Sequence, residues 1–368
     1  MINSFYMPVN CITGRGCVAE SAELFARYGK RCLIVTGKSS AKLSGALDDA
    51  TQALARAGIE YAVFDGIGAN PLISACHAAG EAARECGAEF ILGIGGGSVL
   101  DASKAIAIYA ADSSLSTDDI YKREYNGTPL PVLLVGTTAG TGSEVTSVAV
   151  LTNDKTGMKK SISGADCYAA VSFCDYGYTS TVPRGESVST ALDAFAHAVE
   201  GYFTQKCNEV VELYAEKCIP VIYSGLKELV WCENISEPLR ERLYEGSIYA
   251  GLVINTCGTA FPHPLGYILT ENYGVPHGVA CAAFFGAFID RCVRFAPEKA
   301  EKFAAMTEDI ESVKSTVAAL VNLDGIKISG EEAEKYALRW QNGVPKNFTA
   351  SPGGLTQEEA ARILASVN

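Results

Sequence analysis

Only four histidines occur in 368 residues, so their positions carry information. Asp193-Ala194-Phe195-Ala196-His197 sets a carboxylate and an imidazole four residues apart, on one face of a helix. His263 and His277 each stand in a turn rich in Pro or Gly, Phe261-Pro262-His263-Pro264 and Val275-Pro276-His277-Gly278. One carboxylate and three imidazoles suit Fe(II) or Zn(II), which both accept oxygen and imidazole nitrogen. Any one of these histidines alone reads more simply as a hydrogen-bonded core or surface residue, and the Asp–His pair as a helical side-chain pair. Three of the four in one otherwise apolar half, beside conformationally special residues, favour a shared metal site. His77 has no such setting and reads as a surface residue on a helix over 74–86.

A second chemistry lies earlier in the chain. Phe90-Ile91-Leu92-Gly93-Ile94 reads as a strand and runs into Gly95-Gly96-Gly97-Ser98, with a helix following over 99–108. Consecutive glycines let backbone N–H groups approach an anion, and the helix start adds free donors and a positive dipole end. That combination suits a pyrophosphate; the plainer alternative is a tight turn that needs glycine for packing. Asp101 in the early helix suits the dipole, is placed to order the loop, and is expected among the cofactor-binding residues. Neither G-x-G-x-x-G nor the Walker pattern is matched. Gly136-Thr137-Thr138-Ala139-Gly140-Thr141-Gly142-Ser143 follows another strand, 130–135, and offers backbone freedom with hydroxyl donors. Two such loops at the carboxyl ends of parallel strands favour one ligand crevice over two ordinary loops.

The elements that must position these groups differ between the halves. Arg31–Gly37, Tyr61–Phe64, Phe90–Ile94 and Leu130–Val135 are strand-like runs, separated by helical patterns over 48–57 and 74–86 that stop at Gly58 and Gly87. Strands alternating with helices predict a parallel sheet. Beyond Pro183-Arg184-Gly185 the pattern turns helical over 187–202, 210–230, 238–254 and 297–321. The reading is an α/β domain over 1–182 and an all-α domain over 183–368. A last helix begins at Thr356-Gln357-Glu358-Glu359, a capping-box pattern.

Composition narrows the partners. Thirty basic against forty-two acidic residues give a net charge of −12, with no dense basic run, which argues against nucleic acid. The longest uncharged apolar stretch, 279–289, is too short to span a bilayer. Thirteen cysteines form no Cys-x-x-Cys, are odd in number, and occur without a secretory pattern at the N-terminus. They imply free thiols in a reducing cytoplasm and stand at no expected ligand position.

Taken together, Gly95–Ser98 with Asp101 and Lys104, Thr137–Glu144, Asp193–Glu200 and Pro276-His277-Gly278 resemble the iron-containing (group III) alcohol dehydrogenases over nearly the whole chain. The resemblance implies a dehydroquinate synthase-like architecture. A Rossmann-like nucleotide domain precedes a helical one, with the active site in the cleft between them. By position it implies metal ligands Asp193, His197, His263 and His277. It puts the pyrophosphate on Gly96, Gly97 and Ser98, and the nucleotide against Thr137, Thr138 and Thr146. Asn70 would line the adenine or ribose side, and Lys159 would reach the nicotinamide ribose. The implied ion is Fe(II), with Zn(II) or Ni(II) accepting the same donors. The implied reaction moves a hydride between NAD(P)H and a small alcohol or aldehyde whose oxygen the metal polarises. A homo-oligomer is expected from the same resemblance.

Two departures stand out. Many NAD-using members carry an Asp after the first strand that repels a 2′-phosphate; here Gly37 stands there, followed by Lys38-Ser39-Ser40. A cation and hydroxyls in place of a carboxylate predict NADP(H) over NAD(H), with Gly37, Ser39 and Ser40 at the cofactor. Four residues after His263, where many members have a proton-moving His, this chain has Tyr267, a poorer shuttle near neutrality with its ordinary pKa of about 10. Other readings are a glycerol dehydrogenase, a phospho-substrate enzyme of the same superfamily, and a non-catalytic nucleotide- and metal-binding redox sensor. The second lacks a Lys/Arg cluster near the histidines, and the full ligand set counts against the third.

Overall fold

The computed structural model describes residues 4–323 and 325–367. Two compact units divide it, one of Met7–Val182 and one of Pro183–Asn368 joined by the N-terminal residues through Tyr6.

The first unit runs β1 (Asn10–Thr13), α1 (Ala22–Phe25), β2 (Arg31–Thr36), α2 (Ser40–Leu43), α3 (Ala46–Arg56), β3 (Glu60–Phe64), α4 (Ile73–Glu85), β4 (Phe90–Gly95), α5 (Gly97–Ala111), β5 (Val132–Gly136), β6 (Val148–Thr152), β7 (Lys159–Ser163) and β8 (Val171–Cys174). Six strands form one sheet in the order β1-β8-β5-β4-β2-β3, every pairing parallel. The inner strands β4, β5 and β8 are buried at every residue, as a sheet covered on both faces requires. Alternate residues feed opposite cores: Leu33, Val35, Ile91 and Leu134 enter one, and Ile34, Leu92, Ile94, Leu133 and Val135 the other.

This order has a functional consequence. From β2 the chain goes to β3 on one side, then returns to β4 on the other. The crevice outside the carboxyl ends of β2 and β4 is therefore a topological switch point, the place where such sheets bind ligands. Both the Gly37–Ser40 segment and the Gly95–Ser98 loop leave the sheet there. The antiparallel hairpin β6–β7 and the strands β1 and β8 are not among the strand-like runs of the sequence, although β6 holds an apolar run over 148–151 as long as that of β3.

The second unit is helical among the described residues: α6 (Arg184–Phe203), α7 (Glu209–Trp231), α8 (Glu237–Cys257), α9 (Pro262–Tyr273), α10 (His277–Ala282), α11 (Phe285–Phe295), α12 (Pro297–Thr307), α13 (Ile310–Leu320), α14 (Gly330–Ala337), α15 (Lys346–Ala350) and α16 (Gln357–Leu364). The stretch 297–321, read as one helix, is two. Asp309 takes an extended conformation and its carboxylate accepts the Ser312 N–H at 2.8 Å, so it starts α13 instead of continuing α12. Thr356 and Glu359 form the capping box that opens α16. All thirteen thiols are free. No helix among the described residues is long and apolar enough to cross a membrane.

Candidate metal centre and nucleotide site

Helix α6 is buried along most of its length, and Asp193 and His197 project from one of its faces. His263 is the second residue of α9, directly after Pro262, and His277 opens α10 after Pro276. Prolines pre-set the backbone at both helix starts, which fixes where each imidazole emerges. The result is convergence on one atom. Asp193 Oδ1 lies 3.5 Å from His197 Nε2, 3.6 Å from His263 Nε2 and 3.8 Å from His277 Nε2.

Those separations exceed a hydrogen bond but suit donors around a common ion, since tetrahedral ligands about 2.1 Å from a metal stand about 3.4 Å apart. Asp193 and His263 are only 3% and 4% exposed, and Asp193 Oδ1 and His263 Nε2 have no hydrogen-bond partner. Orphaned buried polar atoms of this kind are costly unless something binds them. A divalent cation would satisfy both.

Electrostatics agree. Burial works to raise the Asp193 carboxyl, but His197, His277 and His263 override it and hold it well below the carboxylate range. Burial likewise works to lower His263, and Glu200 and Asp193 lift it instead to about 10. A site that draws a proton so strongly also draws a cation, which is bound by the neutral imidazole.

Glu200, seven residues after Asp193 on the same buried helix, was quoted above without a role. It accepts from His263 Nδ1 at 2.8 Å and from the Ala260 N–H at 2.7 Å, so both oxygens are engaged. The Nδ1–H donation leaves the Nε2 lone pair facing Asp193 and raises its basicity. Repeat positions i, i+4 and i+7 along α6 were the available signal. The Tyr267 ring stacks on His277, with centroids 5.4 Å apart and planes at 19°. His77 is half-buried rather than on the surface, because its ring packs edge-on against Tyr109 and Nε2 lies 3.2 Å from Leu115 O.

The nucleotide-side residues gather at the ends of β2, β4 and β5. The Thr137 N–H donates to Gly95 O at 2.9 Å, and the Asn70 N–H donates to Ser98 Oγ at 3.2 Å. Asn70 sits in the left-handed region at φ 54°, a strained conformation that Asn tolerates better than most residues. The two glycine-rich loops touch: a Cβ on Gly96 would stand 3.0 Å from Thr138 Cγ2, and one on Gly97 2.7 Å from Thr141 Oγ1. Only glycine allows this approach and keeps the α5 N–H groups open. Thr137 Oγ1 is buried without a partner, a further orphan that a bound dinucleotide would satisfy. Lys38, Ser39 and Ser40 are exposed beyond β2, and Lys38 pairs with exposed Asp65 at 3.4 Å.

Asp101 and Thr146, expected on the cofactor side, are turned into the fold. Asp101 accepts from Ser143 Oγ at 2.6 Å and from the Val150 N–H at 2.8 Å, and lies 3.9 Å from buried Lys104. Lys104 donates to Thr146 O at 3.0 Å and Val148 O at 2.8 Å, with Thr146 Oγ1 at 3.4 Å. Burial raises the Asp101 carboxyl, opposed by Lys104, Ser143 and Val150, and burial lowers Lys104. A carboxylate committed this way braces the second loop and keeps its charge off a pyrophosphate. Lys159 begins β7, half-buried, close enough to Asp101 to favour its ionised form.

Known proteins place this arrangement. A family model described as iron-containing alcohol dehydrogenase matches residues 8–176, and the C-terminal model of the Fe-containing alcohol dehydrogenase family matches residues 187–325. The chain is 33% identical over 310 residues to 1,3-propanediol dehydrogenase of Klebsiella pneumoniae, covering 82% of this chain and 78% of that protein. It is 27% identical to lactaldehyde reductase of Escherichia coli (strain K12), over 95% and 89% of the two chains. Among solved structures, an iron-containing alcohol dehydrogenase from Thermotoga maritima superposes with a TM-score of 0.89 at 31% identity, covering 98% of both chains. A parallel α/β unit with a glycine-lined switch point, a helical unit with an Asp–His₃ cluster, and this coverage by sequence all agree: the chain belongs to the iron-containing alcohol dehydrogenase family.

Proposed function

We propose that Asp193, His197, His263 and His277 hold a divalent cation, Fe(II) first, and that the loops after β2, β4 and β5 bind NADP(H) in preference to NAD(H). As a family member the protein is a metal-dependent oxidoreductase that transfers a hydride between a nicotinamide cofactor and a small alcohol or aldehyde. The observation that carries the residue assignment is the convergence of three Nε2 atoms on orphaned Asp193 Oδ1.

The chain's own residues prepare the reaction. Glu200 fixes the His263 tautomer and the Tyr267 ring fixes the His277 plane, so the donor set is preorganised. Gly96, Gly97 and the start of α5 offer N–H groups to the pyrophosphate, and Ser98, Thr137 and Thr138 add hydroxyls. When bound, the cation supplies Lewis acidity to the alcohol or aldehyde oxygen. The nicotinamide carries the redox step. We assign Tyr267 a positioning role through its ring.

The preference for NADP(H) rests on Gly37 standing at the end of β2 in place of a carboxylate, and on exposed Lys38, Ser39 and Ser40 beside it, with Lys38 held next to Asp65. Relatives named 1,3-propanediol dehydrogenase and lactaldehyde reductase direct the substrate search to C3 diols and short hydroxyaldehydes. The test is a panel of short alcohols and aldehydes with both cofactors, after reconstitution with each metal. The expected result is NADPH-dependent aldehyde reduction that disappears in Asp193→Ala and His277→Ala while NADPH binding persists. Tighter binding of NADH than NADPH by fluorescence titration would overturn the cofactor assignment. Full activity of the Asp193 variant would overturn the metal one.

A further inference from the structure

Cys281 lies one helical turn after His277 on α10, with Sγ 3.7 Å from His277 Nδ1 and 3.8 Å from its Nε2. Its thiol belongs to a group formed with Asp193, His263 and His277 in which one donor atom of each lies within 4.8 Å of the others. Around one ion, nitrogen at about 2.1 Å and sulfur at about 2.3 Å stand about 3.6 Å apart when adjacent and about 4.4 Å when opposite. The two spacings to His277 fall in that range, and the whole group spans no more than 4.8 Å. Two members of the group, Asp193 Oδ1 and His263 Nε2, are the buried orphans already described, so the thiol faces a place that demands a ligand. Backbone packing holds it there. A Cβ on Gly266 of α9 would meet Cys281 Sγ at 2.8 Å and its backbone N at 2.9 Å, so this glycine lets α10 lie against the helix that carries His263.

We propose that Cys281 is a fifth protein donor to the metal, so that Asp193, His263 and His277 are shared between an imidazole on one side, His197, and a thiolate on the other. The inference rests on the metal centre proposed above. On binding, the S–metal bond forms as the thiol releases its proton to solvent, with no change of oxidation state. A soft sulfur ligand biases the site toward thiophilic ions such as Zn(II) and Co(II) over Mn(II), beyond what an oxygen and imidazole set provides.

The probe is Co(II) bound to the full-length metal-stripped protein, read by absorption spectroscopy. The expected wild-type spectrum contains visible d–d bands together with an intense near-ultraviolet sulfur-to-cobalt charge-transfer band. In Cys281→Ser the charge-transfer band is lost and d–d bands remain, and the Zn(II)-over-Mn(II) affinity ratio falls about 10-fold. Wild-type d–d bands without a charge-transfer band refute the thiolate and leave the metal centre standing. A charge-transfer band that survives in Cys281→Ser assigns the sulfur elsewhere and equally refutes it. No cobalt uptake at all refutes the metal centre itself, and this inference with it.

Discussion

Gly278, the residue after His277, is where the metal centre is most sensitive to a single methyl group. A Cβ built there would lie 2.8 Å from the Ser189 carbonyl carbon and 2.9 Å from the Asp193 backbone nitrogen, with the Ser189 oxygen nearer still. All three are backbone atoms of α6, which have no rotamer to yield. Carbon contacts settle at about 3.5–4.0 Å, so Gly278→Ala must part α10 from α6 by roughly an ångström. His277 Nε2 now stands 3.8 Å from Asp193 Oδ1, and that opening carries it beyond the reach of an ion held by the other ligands. We expect metal affinity to fall by about 10–100-fold, or about 1.4–2.7 kcal/mol, the scale seen when a ligand's support is removed. Alanine otherwise favours a helix by up to about 1 kcal/mol over glycine, so a freely relaxing site would gain stability instead. The assay is competitive Zn(II) titration of the stripped protein, with Tm alongside. Gly286→Ala is the matched control, being the second residue of α11 with nothing nearer its Cβ than Lys314 Cε at 4.0 Å. If Gly278→Ala binds Zn(II) within two-fold of wild type, the claim that α6–α10 contact sets the ligand geometry fails.

Glu200→Gln keeps an acceptor for His263 but removes the charge, and should weaken Zn(II) binding about 10-fold, with Glu200→Ala worse; equal affinities in titration would strip Glu200 of its positioning role. Tyr267→Phe retains the ring stacked on His277 and should leave turnover within about two-fold, whereas Tyr267→Ala should weaken metal binding; a large kcat loss in the Phe variant would instead establish the phenol in proton transfer. Asp101→Ala leaves the Lys104 ammonium buried without its carboxylate and should cost about 3–5 kcal/mol by denaturant unfolding, more than Asp101→Asn; a loss under about 0.5 kcal/mol refutes the bracing role. Chelation should lower Tm, because metal at about 100 times its Kd adds about 2.7 kcal/mol, or roughly 5–10 °C for a unit of this size; an unchanged Tm on scanning calorimetry counts against an internal site.

The parts of the molecule that were legible in the sequence share a local signature. Buried parallel strands are continuous apolar runs, which is why β2, β4 and β5 could be read, and the glycine loops follow them directly. Strand β7, Lys159–Ser163, is polar at four of its five positions and is defined by its partner in the hairpin, so no periodicity in the chain announces it. The converging Asp193 and histidines, the proposed metal ligands, stood out because four histidines are few and prolines flag two of them. Cys281, the further donor proposed above, did not stand out, since one thiol among thirteen carries no mark of its own; only the packing of α10 against α9 brings it to the group. Asp101 shows the converse. Its position in the chain favours the cofactor, and the tertiary contacts of Ser143, Val150 and Lys104 redirect it.

Both proposed sites include groups the fold leaves unsatisfied, which is how a chain of net charge −12 would hold an anionic dinucleotide and a cation. On the nucleotide side the positive potential comes from backbone N–H groups at the start of α5 and from the contact of two glycine loops, so it needs no basic cluster. Asp101, a carboxylate close to these loops, is paired inward with buried Lys104. On the metal side a single carboxylate oxygen is withheld from hydrogen bonding and surrounded by imidazoles, one of them polarised by Glu200. Each buried orphan costs about 1–3 kcal/mol in the ligand-free fold, and that cost is recovered only when its ligand arrives. If the proposed sites bind as assigned, Thr137 Oγ1, Asp193 Oδ1 and His263 Nε2 would therefore couple folding stability to occupancy, by an anion at one place and by a cation at the other.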